Sequence, residues 1–271
     1  MTDLAAYFDR IGYDGPRDAS LATLRALHAL HPAAIPFEAI DVLLDRGVDI
    51  SPEAVDAKLI HGGRGGYCFE QNSLFARVLA ALGFEVEGLL ARVVWNMPAG
   101  APAPPRTHQV LRVRAEGQVW FVDVGFGGCV LTEPLSFEPH VEQQTPHDLY
   151  RLVPAGDDLR LEVRREAGWL PAYEVSLAPC VPRDYEMANW FTSTHPTSHF
   201  RQTFLAAVTR PEARYGLLFN RLTTRPVGGE TTSRILDADG IEAALRDIFR
   251  LPVDPSWRAV IARGAEGPPP T

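Results

Sequence analysis

The stretch His61–Asn72, "HGGRGGYCFEQN", places four glycines shortly before a cysteine. The glycine-rich half is too irregular for a helix, whereas "CFEQNSLFARVLAALG", from Cys68 onward, carries apolar residues on one broad helical face. Gly83 closes this segment, and glycine is common just past the end of a helix. The pattern predicts a helix that begins at or near Cys68.

A cysteine at a helix N-terminus is suited to nucleophilic chemistry. The unpaired N–H groups and the positive end of the helix dipole favour the thiolate, which is the reactive form. The preceding glycines lack side chains, so we expect them to admit a reacting carbonyl and to leave backbone N–H groups free for an oxyanion. The alternative is that Cys68 is a small buried residue of the core. A base close to the sulfur would favour the catalytic interpretation.

The segment Thr107–Gly128, "THQVLRVRAEGQVWFVDVGFGG", offers such a base. If its Glu116-Gly117 dipeptide forms a two-residue hairpin turn, the pairing places His108 and Asp123 on the same face as diagonal neighbours. Their backbones would then lie about 7–8 Å apart, a gap that the two side chains can close with a hydrogen bond. A three-residue loop would send them to opposite faces.

Cys68, His108 and Asp123 together fit a triad in which the carboxylate orients the imidazole and the imidazole deprotonates the thiol. Taken singly, the histidine could be a surface or core residue, and the aspartate could face water at a strand end. The other histidines fit less well; they are His28, His31, His61, His140, His147, His195 and His199. A metal site built from Cys68, His61 and Asp123 lacks any recognised ligand spacing, so we expect no metal.

Length and composition limit the class of protein. The 271 residues are 46% hydrophobic, which allows a large buried core and about two domains. No apolar run approaches the ~20 residues of a membrane span, and the N-terminus lacks the regions of a signal peptide. Cys68, Cys129 and Cys180 lie far apart, which indicates reduced thiols without disulfides. We therefore expect a cytoplasmic protein without a membrane partner.

The charge distribution bears on possible partners. The net charge of −8 argues against a nucleic-acid partner. Residues 201–234 are nevertheless locally basic, with six arginines and two glutamates. This segment is either a solvated face or a contact for an anionic cosubstrate.

The chain changes character twice, which predicts a fold of helices and sheet in three parts. Residues 1–84 show helical periodicity, with Ser20 as a cap, and carry the nucleophile. Residues 85–190 contain short β-branched and aromatic runs, which predict a sheet or barrel that carries His108 and Asp123. Residues 191–271 mix strand-like pieces with a helix after Asp239, and we expect the tail "GAEGPPPT" to be disordered.

Four segments together resemble the signatures of the arylamine N-acetyltransferases: "RGGYCFEQN", "THQVLRV", "FVDVGFGG" and "WFTSTHPTSHF". The resemblance runs in order over residues 7–250. It implies an α+β fold with an N-terminal helical bundle, a central antiparallel β-barrel and a C-terminal α/β lid around a cysteine-protease-like Cys-His-Asp core. Departures are small: Ala39 stands where an amide or acid is common, and Ser73 where glycine is frequent.

The resemblance also implies a chemistry. Cys68 would carry an acetyl thioester, His108 would move protons and Asp123 would orient it. The cosubstrate would be acetyl-coenzyme A, and the acceptors would be arylamines, arylhydrazines or N-hydroxyarylamines, in a ping-pong reaction. The acceptor pocket would be lined by Val93, Thr107, Phe126 and Phe200. Gly125, Gly127 and Gly128 would let coenzyme A approach the backbone.

Other functions remain open from the residues alone. A cysteine hydrolase or a transglutaminase-like enzyme uses the same triad, and so would an intramolecular amide synthase of macrolide biosynthesis. A scaffold that only binds a partner would keep the fold without a reactive thiol. We expect a monomer or a weak homo-oligomer.

Overall fold

The computed structural model describes residues 2–98 and 100–268, and its first 84 residues are mainly helical. The helices of this region are α1 (Leu4–Ile11), α2 (Leu21–Ala34), α3 (Ile40–Leu43), α4 (Pro52–Val55), which continues as a π-helical turn (Asp56–His61), and α5 (Cys68–Ala81). The Ser20 side chain accepts a hydrogen bond from the Thr23 N–H and caps α2, as the sequence predicts. Gly83, with a φ of 95°, follows the end of α5.

Residues 85–175 contain an antiparallel sheet of eight strands that nearly closes into a barrel. The strands are β2 (Glu85–Val93), β3 (Arg106–Ala115), β4 (Gln118–Val122), β5 (Leu135–Ser136), β6 (Gln143–Gln144), β7 (Leu149–Ala155), β8 (Asp158–Arg165) and β9 (Gly168–Val175). Their order is β5-β4-β3-β2-β9-β8-β7-β6. Strand β4 ends at Val122, because the Asp123 carboxylate accepts the Gly125 N–H at 2.8 Å and turns the chain out of the sheet.

The C-terminal part combines a second antiparallel sheet with helices. Its elements are α6 (Pro182–Thr194), β10 (Leu205–Arg210), β11 (Ala213–Leu218), β12 (Arg221–Pro226), β13 (Thr232–Ile235), α7 (Ala238–Asp247) and α8 (Arg258–Ala265). The sheet order is β1-β10-β11-β12-β13, where β1 (Phe37–Glu38) comes from the N-terminal region. Helix α6 runs across residue 190, and the division into 1–84, 85–190 and 191–271 stays a prediction.

Three expectations for the C-terminal part need correction. Helix α7 begins after Asp237 rather than Asp239, because the Asp237 side chain accepts the Gly240 N–H at 2.8 Å. Part of the tail expected to be disordered, 264–265, belongs to α8, whose Gly264 packs against Phe204; residues 269–271 of that tail lie outside the described residues. The basic segment 201–234 is not uniformly solvated, since Arg214 is buried and pairs with Asp148 at 2.8 Å.

The apolar face of α5 packs against the barrel. One buried cluster contains side chains of α2, α5, β3 and β4, among them Leu24, Leu27, Phe75, Val78, Leu79, Leu111, Val113 and Val122. Each such side chain contributes about 1.5–3 kcal/mol when it is fully buried. This packing fixes the axis of α5 relative to β3 and β4, so the position of Cys68 at the start of the helix is set by the sheet.

Two possible features are absent from the described parts of the chain. Across residues 2–98 and 100–268, no helix combines the length and the apolar character that crossing a bilayer requires. Within the same ranges, no three His, Cys, Asp or Glu side chains cluster closely enough to hold a metal ion.

Two buried histidines of α2 should make the fold sensitive to acid. Burial lowers the pKa of His28 to about 4 and the pKa of His31 to about 3, from an ordinary value of 6.5. Below pH 6.5 the unfolded chain binds protons at these residues and the folded chain does not. The free energy of unfolding, measured by urea titration, should therefore fall as the pH drops from 6.5 towards 4.

The control uses an exposed histidine. The His31→Gln variant lacks one of the two buried imidazoles, so its free energy of unfolding should fall less steeply with decreasing pH than that of the wild type. In His61→Gln, which changes an exposed side chain, the slope should stay the same. Equal slopes in all three proteins would contradict this origin of the acid sensitivity.

Candidate active site

The hairpin between β3 and β4 has the predicted register. Ala115 pairs with Gln118, and both turn residues, Glu116 and Gly117, have positive φ angles of 52° and 77°. Those angles are the ones that a two-residue type I′ turn requires. His108 Nε2 and one oxygen of the Asp123 carboxylate are consequently 2.8 Å apart. The prediction that these two side chains share a face and form a hydrogen bond is confirmed.

The Asp123 carboxylate is fully buried and accepts four hydrogen bonds. Oδ2 accepts from His108 Nε2 at 2.8 Å and from the Tyr173 hydroxyl at 2.7 Å. Oδ1 accepts from Asn72 Nδ2 at 2.9 Å and from the Gly125 N–H at 2.8 Å. Burial by itself would raise the pKa of Asp123, but His108 and the other donors lower it below its ordinary value. Asp123 is therefore an anion at neutral pH.

The His108 imidazole carries the matching positive charge. Burial by itself would lower the pKa of His108, but the Asp123 carboxylate outweighs it and, together with the Cys68 sulfur, raises the pKa to about 10. His108 uses Nε2 for Asp123, so the nitrogen left for the sulfur is Nδ1. An imidazolium between a carboxylate and a sulfur can stabilise a thiolate and can deliver a proton.

Cys68 is the first residue of α5 and is buried. Its Sγ lies 3.6 Å from the Thr107 carbonyl oxygen, next to His108 in β3. The start of α5 is fixed by Glu70, whose carboxylate accepts the Tyr67 N–H at 2.9 Å and pairs with Lys58 at 2.7 Å. The prediction that the cysteine lies at a helix N-terminus is confirmed.

The glycines before Cys68 have a different role from the one predicted. A Cβ atom on Gly65 would lie 2.2 Å from the Pro36 carbonyl oxygen, and one on Gly66 would lie 2.7 Å from the Glu70 carboxylate. These two positions are filled by the protein itself, so they do not offer space to a substrate. The glycine that faces the nucleophile is Gly125, where a Cβ atom would lie 2.8 Å from the Cys68 Cα.

The other two predicted glycines follow Gly125 in the chain. Gly127 has a φ of 62° and faces the ring of Phe37, whereas Gly128 is exposed with open space around it. Their contact with coenzyme A stays a prediction.

The predicted acceptor residues surround the triad unequally. The ring centroid of Phe126 lies 5.1 Å from that of His108. Phe200 reaches the site through Tyr67, whose ring centroid is 5.6 Å away. Val93 lies at the end of β2, where it pairs with Tyr173, the residue whose hydroxyl donates to Asp123. Phe126 and Thr107 are thus neighbours of the triad, whereas Val93 and Phe200 are linked to it through Tyr173 and Tyr67.

A cavity of about 420 Å³ lies between α6 and the ends of β2, β3 and β9, and it borders the site through Thr107. Its lining is mostly apolar, with Leu90, Met187, Ala188 and Phe191 among its residues. Of the four residues expected to line the acceptor pocket, Thr107 alone is part of this lining.

Three residues of the site were missed by sequence reasoning. Tyr173, in β9, donates to Asp123 from a strand that no local pattern links to the triad. His28, in α2, fits the triad base less well, and its Nε2 accepts the Asp123 N–H at 3.3 Å. Asn72 stands four residues after Cys68, one helical turn away on the same face, and this spacing was the available signal.

The fold and the site place the chain among the N-acetyltransferases, whose family model matches residues 20–258. An arylamine N-acetyltransferase of Mycolicibacterium smegmatis is 42% identical over 268 residues, which cover 97% of this chain and 98% of the relative. The structure of Mycobacterium marinum arylamine N-acetyltransferase superposes with a TM-score of 0.93 at 40% identity, covering 97% of this chain and all of that chain. The same M. marinum enzyme in complex with CoA gives a TM-score of 0.92 at 40% identity, with 96% and 99% covered. The chain belongs to the arylamine N-acetyltransferase family.

The Asp123→Asn substitution should reverse the pKa shift of His108. Without the carboxylate charge, burial dominates, so the pKa of His108 should fall from about 10 to below its ordinary 6.5. The titration of the imidazole can be followed by NMR of protein with labelled histidine. In the wild type, the raised pKa of His108 stabilises the folded state below pH 6.5, and this stabilisation is lost as the pH rises towards 10. The Asp123→Asn variant should not show this loss of stability. An unchanged pKa in the variant would contradict the ion pair.

The Gly125→Ala substitution should displace the nucleophile. The new Cβ atom would lie 2.8 Å from both the Cys68 Cα and Asn72 Nδ2, so one of these elements must move. Because reaction rates are sensitive to such shifts, we expect alkylation of Cys68 by iodoacetamide to slow by roughly tenfold or more. Gly128→Ala is the matched control, because a Cβ atom there meets nothing within 4 Å. Equal rates in the two variants would contradict the close packing.

Proposed function

We propose that this chain transfers the acetyl group of acetyl-coenzyme A to the nitrogen of arylamines, arylhydrazines or N-hydroxyarylamines through a thioester on Cys68. The proposal rests on one observation. In a chain of the arylamine N-acetyltransferase family, Cys68 at the N-terminus of a helix, His108 and Asp123 lie together in the protein interior. The M. marinum relative solved in complex with CoA supports coenzyme A as the carrier.

In the first half-reaction the Cys68 thiolate attacks the thioester carbonyl of acetyl-coenzyme A. The negative charge on the tetrahedral oxygen is stabilised by backbone N–H groups at the start of α5, which have no partner within the helix. The bond between the acetyl carbon and the coenzyme sulfur breaks, and coenzyme A takes the proton of the His108 imidazolium as it leaves. Cys68 then carries the acetyl group, and His108 is neutral.

In the second half-reaction the acceptor nitrogen attacks the thioester on Cys68. Neutral His108 takes the proton that the nitrogen loses as it becomes an amide, and the Cys68 sulfur leaves as a thiolate. The starting pair of thiolate and imidazolium is restored. Asp123 keeps the same ring nitrogen occupied throughout, so the other nitrogen always faces the reacting atoms.

An aromatic acceptor is favoured by the side chains around the triad. Phe126 is partly exposed beside His108, and Phe200 is partly exposed beside Tyr67. Aromatic rings bind flat aromatic groups by stacked or edge-to-face contacts. Val93 and Thr107 complete the proposed acceptor site, and the adjoining cavity of about 420 Å³ can take a substituent of the ring.

The family match disfavours the alternatives of a hydrolase, a transglutaminase-like enzyme or an amide synthase of macrolide biosynthesis. A binding scaffold is disfavoured by the charged pair beside the sulfur. The roles of Gly125, Gly127 and Gly128 in holding coenzyme A, the cytoplasmic location and the monomeric or weakly oligomeric state remain part of the proposal.

The proposal is tested by intact-mass measurement. Incubation with acetyl-coenzyme A alone should add one acetyl group to the protein, because the thioester forms before any acceptor is needed. Addition of an arylamine should remove this group and yield the acetylated amine. The Cys68→Ser variant, which retains Cys129 and Cys180, should show no labile acetyl group.

The possible results separate the candidate functions. Loss of the acetyl group in buffer as fast as with amine would favour a hydrolase. A stable acetyl-enzyme that ignores arylamines and hydrazines would favour an amide synthase with another acceptor. Acetylation at equal rates in the wild type and Cys68→Ser would overturn the proposal.

A further inference from the structure

Asn72 uses its whole amide within the triad region. Its Nδ2 donates to the Gln109 carbonyl oxygen at 2.7 Å and to Asp123 Oδ1 at 2.9 Å. Its Oδ1 accepts the Val124 N–H at 3.1 Å. The side chain is fully buried, so no water competes for these bonds.

These three bonds join the elements that carry the three triad residues. Asn72 lies one helical turn after Cys68 in α5. Gln109 follows His108 in β3, and Val124 follows Asp123 at the end of β4. The amide therefore ties the helix of the nucleophile to the strand of the histidine, to the Asp123 carboxylate and to the backbone N–H that follows Asp123.

We propose that Asn72 is a positioning residue that holds Cys68, His108 and Asp123 in register with one another. The inference rests on the proposed function for its catalytic meaning, but it concerns the geometry of the chain's own side chains. Asn72 is buried behind the triad, so it acts through Asp123 and the two strands and touches no substrate.

The chain contains a matched control in the preceding residue. Gln71 is equally buried, and its Nε2 donates to the carbonyl oxygens of Pro36 and Gly66 at 2.9 and 3.2 Å. Its Oε1 binds His31 at 2.7 Å. Gln71 thus has a similar number of buried hydrogen bonds, none of them to the triad. Loss of either amide should destabilise the fold, and only loss of Asn72 should change the triad.

The experiment compares Asn72→Ala, Asn72→Asp and Gln71→Ala with the wild type. Asn72→Asp preserves volume and can still accept the Val124 N–H, but it cannot donate to Asp123 as a carboxylate; it serves if the alanine variant does not fold. The readouts are the alkylation rate of Cys68 against pH, the NMR titration of His108, kcat and KM, and urea unfolding.

In the Asn72 variants we expect alkylation at neutral pH and kcat to fall by about 100-fold, the effect of a misplacement near 1 Å. KM for acetyl-coenzyme A should stay unchanged. The pKa of His108 in Asn72→Ala should fall from about 10, because Asp123 is held less firmly against it. Gln71→Ala should lose stability while it keeps the wild-type pH profile.

The outcomes distinguish this inference from the proposed function. If Asn72→Ala retains the wild-type alkylation rate and His108 titration, or if Gln71→Ala changes both as much, the positioning role is overturned. If wild-type Cys68 alkylates rapidly but no amine is acetylated, the proposed acyl transfer fails, and the comparison of Asn72 with Gln71 still decides the positioning role.

Discussion

The ion pair between Asp123 and His108 is the interaction on which the rest of the site depends. An unpaired carboxylate at this depth would cost several kcal/mol to remove from water, and it would take up a proton instead. Four donors prevent this, since each oxygen of Asp123 accepts two hydrogen bonds. A fixed negative charge is thereby kept next to an imidazole, and this charge holds His108 protonated beside Cys68.

The donors to Asp123 come from separate elements, so the charge is stable only in the folded chain. Asn72 lies in α5, His108 in β3 and Tyr173 in β9, while Gly125 belongs to the loop after β4. The helix, two strands of the barrel and a loop must all be in place before the carboxylate is satisfied. The arrangement of His108 and Asp123 beside Cys68 is in this way linked to correct packing of α5 on the barrel.

Local sequence patterns predict those parts of the site that depend on residues close together in the chain. The Glu116-Gly117 turn fixes the register of β3 and β4, and register alone brings His108 to Asp123. The placement of Cys68 follows in the same way from the helix pattern. The barrel and the lid are predicted by the family resemblance and not by local patterns, because the order of strands in a sheet depends on long-range pairing. Tyr173 was out of reach for that reason, since β9 meets β2 only after the barrel forms.

A residue type has several possible roles, and tertiary contacts decide which one it takes. The sequence predicts that the glycines before Cys68 give a substrate access, but Gly65 and Gly66 make room for Pro36 and Glu70. His28 lies in α2, where it fits the triad base less well, and its Nε2 accepts the backbone N–H of Asp123 instead. Neither contact can be predicted from the periodicity of the sequence.

The three cysteines show why the neighbours of a thiol matter more than its burial. Cys129 Sγ lies 3.1 Å from an Arg165 nitrogen, and Cys180 Sγ lies 3.7 Å from the Ala178 carbonyl oxygen. A guanidinium can stabilise a thiolate, but it does not give up or take a proton at neutral pH, and a carbonyl can only accept. Acyl transfer needs a proton to move in each half-reaction. Cys68 has the His108 imidazole beside it, and so this sulfur is equipped for both halves.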